Sequence, residues 1–306
     1  MTTKATGTVR TTEVRWPLLG PFSLREAALF GFGHRRESDF DGVMRLAFCV
    51  DDYYESTAGV ALRQDGDALA MTIESAADPQ VVAAQAARVV SADHDGRGFA
   101  ELGERDEVIG ALQAAAPGLR PVLFHSPYEG AAWSIISARR GMAQGRGLRE
   151  RLNTQWGSTF TVAGQPVTCL PPPSRLREIT TVPGLPADRV PRLHAIAEAA
   201  SQGRLSARHL QEIGADAAAA EVQQLPGIGP FYSGLIVVRA TGFADVLPLI
   251  EARARALAHE LYGLPEPLDD AGYLAFAERW APWRTWATVL IRAGSGRLPA
   301  SGILPR

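Results

Sequence analysis

The sequence predicts a mostly α protein whose helical core is preceded by a small α+β domain. Three observations predict it. Between Phe40 and Ile73 apolar and polar residues tend to alternate, the period of half-buried strands. From about Arg105 onward the apolar spacing turns helical, and Ser, Asp and Pro take up cap positions. Late in the chain, Leu225-Pro226-Gly227-Ile228-Gly229-Pro230 separates two helical runs, Ala217 to Gln224 and Phe231 to Ala240. The expected division is an antiparallel-sheet domain over 1–104 and a helical core over 105–306.

Residues 1 to about 15 read as a loose tail. Val43, Leu46, Phe48 and Val50 form one strand pattern, and Val60-Ala61-Leu62 and Leu69, Met71, Ile73 form two more. Asp65-Gly66 between the last two is a hairpin signal. A helix is expected from Pro79 to about Ser91, with Asp78 as N-cap. Ser126-Pro127-Tyr128-Glu129 is a capping box that opens a helix to about Met142, and a second helix spans roughly Gly147 to Trp156. After Pro171-Pro172-Pro173 come short helices near Arg175 and from Asp188 to Ala200. Ser206 is expected to cap another, and Asp216 the first helix of the Gly-rich pair. Asp269 or Asp270 caps a helix to Trp280, and Pro282 opens the last one, to about Ala293. The tail from Gly294 is irregular, and no internal repeat is present.

Composition narrows the function. With 46% hydrophobic and 21% charged residues the chain has ordinary globular proportions. The net charge of −2 makes it no general polyanion binder, though a local arginine surface would suffice. No run of about 18 apolar residues suggests a membrane span, and the polar start lacks a signal-peptide core. Cytoplasmic residence is the expectation. Cys49 and Cys169 are too few for a four-cysteine cluster and read as buried residues. The histidines show no metal-ligand spacing. Asp93-His94-Asp95-Gly96 lacks the later glutamate of a calcium loop. Lys4 is the sole lysine.

A short Gly-rich turn between two helices leaves backbone N–H groups facing outward at the second helix's start, a suitable grip for phosphate. Those groups belong to Gly227, Ile228 and Gly229. Downstream, Gly242-Phe243-Ala244-Asp245-Val246-Leu247-Pro248 precedes Glu251, expected in the first turn of the next helix. This order resembles the helix-hairpin-helix DNA glycosylases, and within them the DNA-3-methyladenine glycosylase II group. Two further segments carry the resemblance. His125-Ser126-Pro127-Tyr128-Glu129, followed by Trp133 and Ile135-Ile136, looks like the family's opening helix. Trp280-Ala281-Pro282-Trp283-Arg284-Thr285-Trp286 looks like its tryptophan-rich final segment.

The resemblance implies monofunctional excision of alkylated purines from duplex DNA. A carboxylate near C1′ stabilises the oxocarbenium-like sugar and orients water. The family's aspartate falls at position 251, which here is Glu251. Its extra methylene adds about 1.5 Å of reach, and misplacement on that scale can cost about 100-fold. Asp245 is the competing acid, with loop fixation through backbone N–H groups as its other role. Phe231 stands where lyase-competent relatives carry lysine, so water rather than an amine is the expected nucleophile. Phe231, Tyr232, Tyr128, Trp133 and Trp286 are candidates for an aromatic pocket that would favour a cationic base, each with core burial as the plainer alternative. The plug that fills the vacated stack would come from Ser137-Ala138-Arg139-Arg140-Gly141, with Arg139 or Arg140 intercalating or touching phosphate. The backbone carbonyls of Gln223, Leu225 and Ile228 would hold a monovalent cation, and no other cofactor is expected. The partner expected is duplex DNA with a damaged base, bound by a monomer away from any membrane. Rival readings are an oxidised-base glycosylase, a lapsed enzyme that only binds DNA, and a helical scaffold for another protein.

Overall fold

The structure is a computed structural model that describes residues 8–30, 40–249 and 251–298. Residues 1–7 of the expected tail and the end of the chain beyond 298 lie outside the described residues. The remainder of that tail is not loose: Arg10–Pro17 is strand β1. It joins β2 (Met44–Cys49), β3 (Thr57–Asp65) and β4 (Ala68–Ser75) in a sheet of order β1-β4-β3-β2. β3 and β4 are antiparallel and pair to their ends, Asp65 opposite Ala68. Gly66-Asp67 is thus a two-residue turn, and Gly66 supplies the left-handed φ of +61° that it needs. A two-stranded ribbon, β5 (Thr159–Val162) and β6 (Gln165–Thr168), has no counterpart among the expected elements. It turns at Ala163-Gly164, both at positive φ. Its Phe160 lies where Gly59 has no Cβ, since a Cβ there would approach the ring to 2.7 Å.

Packing divides the chain into two compact units, each gathered from three separated stretches. The first comprises the described parts of Met1–Trp16, Val43–Val89 and Leu123–Gly242; the second comprises those of Pro17–Gly42, Val90–Val122 and Phe243–Arg306. These units do not follow a division at residue 104. The physical reason is that partners for the sheet come from far along the chain. In the first unit the buried Tyr54 hydroxyl donates to the Leu205 carbonyl at 2.5 Å, and Cys49 Sγ lies 3.1 Å from the Leu170 carbonyl.

Local capping follows the sequence at most ends. Asp78 Oδ1 accepts from Gln80 N, Ser126 Oγ from Glu129 N, Ser206 Oγ from His209 N and Asp269 Oδ1 from Gly272 N. Four boundaries differ. The opening helix Pro127–Ser137 stops short of Met142, because Ala138 and Arg139 leave helical geometry, and Arg139 takes φ +56°. The next helix then runs Met142–Trp156. Gly214, not Asp216, is the N-cap of Ala215–Gln223, and Asp216 sits in the first turn. The last helix begins at Arg284 rather than Pro282.

The second unit has a core of Leu102, Ile109, Leu112, Tyr273, Trp280 and Trp286 among others. Beside it sits a buried guanidinium. Arg120, 1% exposed, donates to the carbonyls of Leu19 (2.5 Å), Pro21 (3.0 Å), Ser91 (3.0 Å) and His94 (3.0 Å). It lies over Phe22 at 5.5 Å and Trp286 at 5.4 Å. Burial lowers its pKa to about 10, opposed by Asp93 and Asp95. A Cβ at Gly96 would collide with it, so the glycine permits the approach. Arg120→Leu leaves several buried acceptors unpaired at about 1–3 kcal/mol each. The variant should lose on the order of 4 kcal/mol or more in urea unfolding; a loss below about 1 kcal/mol would contradict this role.

Candidate functional site

In the first unit the Gly-rich turn joins Ala215–Gln223 to Pro230–Ala240. Its own hydrogen bonds sort the N–H groups. Leu225 N donates to Val222 O at 3.1 Å, and Ile228 N donates to Leu225 O at 3.0 Å. Ile228 is 5% exposed, so this residue anchors the turn and its N–H does not face a ligand, contrary to expectation. Gly227, at φ +90°, and Gly229 have no acceptor for their N–H groups among the described residues. Gly229 caps a helix whose Ser233 N returns to its carbonyl at 3.0 Å, so the positive end of that helix is aligned with the free amides. From below, Arg204 donates to Glu221 (3.0 Å) and to Gln224 (3.1 Å), and His209 reaches Glu221 at 3.1 Å. Burial raises the Glu221 pKa, but the bonds from His209 and Arg204 outweigh it and the net shift is downward.

A cavity of about 430 Å³ opens next to the turn, lined by Arg139, Asp188, Arg189, Arg192, Gly227 and Tyr232. The plug-candidate loop and the hairpin are therefore brought together. Arg140 is turned back, its Nη1 3.4 Å from the Ile136 and Ala138 carbonyls at the end of the opening helix. One nitrogen of Arg140 is thus engaged with the end of its own helix. Arg139 is exposed and has no polar partner among the described residues. Arg189 and Arg192 were not singled out from sequence. Their signal was available: both stand at the start of helix Val190–Ser201, where the helix dipole disfavours cations.

The expected pocket aromatics do not share one environment. Phe231 is 55% exposed and meets Tyr232 edge-on, with ring centroids 5.3 Å apart. Tyr128 is fully buried, stacks on Tyr54 and donates to the Pro171 carbonyl at 2.8 Å. Trp133 is buried beneath Arg149, whose guanidinium carbon is 5.2 Å from the ring centroid. Arg149 also approaches Glu129 at 3.9 Å, and His125 Nδ1 lies 2.7 Å from the same carboxylate. Trp286 belongs to the core of the second unit, against Phe99 and Trp283. Tyr128, Trp133 and Trp286 are thus closed core residues in this conformation, as aromatic burial favours.

The two acids lie in the second unit and are held differently. Asp245 accepts from Arg284 three times: from its backbone N at 3.0 Å, Nε at 2.8 Å and Nη2 at 2.8 Å. Burial raises its pKa, yet these bonds prevail and the net shift is downward. Beside it, Thr285 Oγ1 bridges the N–H and carbonyl of Val246. The loop is thereby tied to the start of the last helix. Glu251 occupies the N-cap position of Ala252–Leu261 rather than its first turn. Its backbone N donates to Pro248 O at 2.9 Å, and its side chain, 41% exposed, makes one looser ion-pair contact among the described residues, 3.6 Å to Arg292 Nε. A helix N-terminus favours the carboxylate there.

No family model matches the chain. The sequence is 27% identical over 199 residues to DNA-3-methyladenine glycosylase 2 of Escherichia coli (strain K12). That match covers 62% of this chain and 66% of the relative, just under two thirds of its length. The fold is similar to the 3-methyladenine DNA glycosylase from Archaeoglobus fulgidus, with TM-score 0.70 and 18% identity, covering 91% of this chain and 96% of that one. It is also similar to the Clostridium acetobutylicum 8-oxoguanine glycosylase/lyase in its apo form, with TM-score 0.64 and 14% identity, covering 94% and 98%.

Two substitutions probe this geometry. Gly227→Glu is a poor test of phosphate contact, since a Cβ there would meet Ile135 and Arg192 within about 3 Å at a strained φ. Gly229 has open space around its missing Cβ. Gly229→Glu should fold normally and weaken duplex affinity at least tenfold, about 1.4 kcal/mol, by placing a carboxylate at the free amides; unchanged affinity would remove the turn from the interface. Asp245→Asn should lower stability at neutral pH by roughly 2 kcal/mol. Because its folded pKa is depressed, that contribution is present above the usual carboxylate value of about 4 and disappears as pH falls through the lower folded value. Parent and variant should therefore converge in acid; a gap that persists at low pH would assign the loss to packing. The chain has the helix-hairpin-helix DNA glycosylase fold, and it resembles the DNA-3-methyladenine glycosylase II group within it.

Proposed function

We propose that the chain is a monofunctional DNA glycosylase that removes alkylated purines from duplex DNA. The observation that carries this reading is the contrast between the acids. Asp245 is consumed by Arg284, whereas Glu251 stands at a helix N-terminus with its side chain partly exposed and held by no hydrogen bond among the described residues. The turn amides of Gly227 and Gly229 would hold a backbone phosphate while the damaged nucleotide leaves the stack. The base departs with the electron pair of its C1′–N bond, and the sugar becomes oxocarbenium-like. Glu251 stabilises that charge and orients water. The water oxygen bonds to C1′, and its proton passes to the carboxylate or solvent. A base already made cationic by alkylation is the better leaving group, so modest activation suffices. No lysine occurs among the described residues, which supports water over an amine as nucleophile. The carbonyls of Gln223, Leu225 and Ile228 would hold a monovalent cation, and Leu225 O keeps one lone pair after accepting from Ile228 N. Such an ion would supply positive charge beside the turn amides.

Single-turnover release of base from alkylated duplex tests the assignment. Glu251→Gln should bind duplex like the parent and release base at least about 100-fold more slowly. Glu251→Asp should retain activity if the reaction tolerates the shorter acid. Parent-like release by Glu251→Gln, with release abolished in a folded Asp245→Asn, would make Asp245 the acid. A parent that binds duplex but releases nothing from any alkylated or oxidised substrate would leave a lapsed enzyme.

A further inference from the structure

The cavity beside the hairpin concentrates positive charge that folding alone does not require. Three arginines line it in a chain of net charge −2, Arg139, Arg189 and Arg192, and a fourth, Arg140, lies close enough to Arg189 to act on its charge. Two of them have structural work. Arg140 approaches the last carbonyls of the opening helix, and Arg189 Nη1 donates to the Ile135 carbonyl of the same helix. The C-terminal end of a helix favours cations, so both are accounted for. The other two are not. Arg139 is exposed on a backbone held at φ +56°, an unfavourable conformation for a long side chain. Arg192 lies in the first turn of Val190–Ser201, where the helix dipole opposes a cation. Its one ion pair is with Asp188, 2.9 Å away and 62% exposed.

Like charges gathered at a cavity cost stability unless an anion joins them. Arg189 registers that cost: burial lowers its pKa, and Arg140 lowers it further. Gly227, whose free N–H belongs to the hairpin, lines the same cavity, and a Cβ on it would come within 3.0 Å of Arg192. The cavity therefore offers two guanidinium forks beside a backbone amide, a donor set matched to phosphate oxygens.

We propose that Arg139 and Arg192 form a phosphate-binding notch, occupied by a phosphodiester of the DNA backbone, with Asp188 as an internal counter-ion that the phosphate displaces. This rests on the reading of the hairpin as a DNA contact and adds a second, side-chain grip to its amide grip. In the unliganded chain Asp188 neutralises Arg192. On binding, the phosphate takes the guanidinium and Asp188 returns to solvent. The displaced carboxylate costs affinity, which keeps undamaged duplex from being held too firmly.

The test is duplex affinity against salt concentration for the full chain, with undamaged DNA so that base release plays no part. Arg139→Gln and Arg192→Gln should each weaken binding about tenfold at low salt and reduce the slope of log K against log salt by about 1. Their double variant should lose less than the product of the two, because both hold one phosphate. Asp188→Asn should tighten binding, and the gain should vanish in the Arg192→Gln background. Slopes and affinities unchanged in both arginine variants would overturn the notch, while Gly229→Glu reports independently on the hairpin. Thermal stabilisation by inorganic phosphate separates the two sources of the anion. A rise lost in Arg139→Gln and Arg192→Gln, with duplex affinity unaltered, would overturn the DNA assignment and give the notch to free phosphate. A parent that binds no duplex would overturn both the hairpin reading and the DNA assignment of the notch.

Discussion

The acid-bearing unit depends on one buried guanidinium. Arg120 collects carbonyls from Leu19 and Pro21 in one stretch and from Ser91 and His94 in another, and its flat face lies against Trp286 in a third. A hydrophobic contact could press these stretches together, but it would take the Arg120 donor from each of these carbonyls, of which Leu19 O would keep another, the Gly96 N–H. A buried charge is costly, and here five N–H donors in a rigid fork spread that cost over several short hydrogen bonds. The consequence reaches the chemistry. Trp286 sits on the helix Arg284–Gly294, whose Arg284 and Thr285 fix the Asp245 loop and whose Arg292 approaches Glu251. What fixes Trp286 thus also fixes the frame in which both acids are presented.

The same side chain recurs wherever backbone carbonyls need a donor. Arg45 reaches the Val162 carbonyl, Arg105 the Ala281 carbonyl, and Arg140 and Arg189 the end of the opening helix. In a chain with one lysine this reliance on arginine has a chemical side effect. It supplies charge that cannot act as an amine nucleophile, because guanidinium stays protonated under working conditions. The chain can therefore be rich in cations near the free turn amides of Gly227 and Gly229 without acquiring imine chemistry.

Much of this was legible in the sequence, for identifiable reasons. Short-range signals survived best: the Asp65-Gly66 turn, the Ser126 and Ser206 caps and the hairpin helices are each set by residues within a few positions of one another. Signals that need distant partners failed. β1 looked like a tail because its pairing partner β4 lies about 55 residues away. β5 and β6 are four residues each, too short for alternation to stand out. Counting from Asp245 found Glu251 at a helix start, but at the N-cap rather than in the first turn, because Pro248 accepts its N–H and closes a turn ahead of the helix. Aromatics were the least readable. The sequence shows that Tyr128, Trp133 and Trp286 are bulky, not whether Tyr54, Arg149 or Arg120 covers them.

The assignment of roles to the two acids rests on what each would have to give up in order to react. Asp245 holds three donors from one arginine, two of them on a single planar fork, in a loop also pinned by Thr285. Swinging it toward a sugar would strand a partly buried guanidinium as well as a carboxylate, and a broken bond of that kind costs about 1.5–3 kcal/mol before any chemistry begins. Glu251 gives up only a 3.6 Å contact to a partly exposed Arg292, the kind of pair worth at most about 1 kcal/mol in solvent. Its backbone is fixed by the turn at Pro248 while its longer side chain stays movable. A carboxylate meant to meet a transient cation must be anchored yet uncommitted. Glu251 meets both conditions and Asp245 only the first, so the proposed division of labour rests on their partners rather than on the difference between glutamate and aspartate.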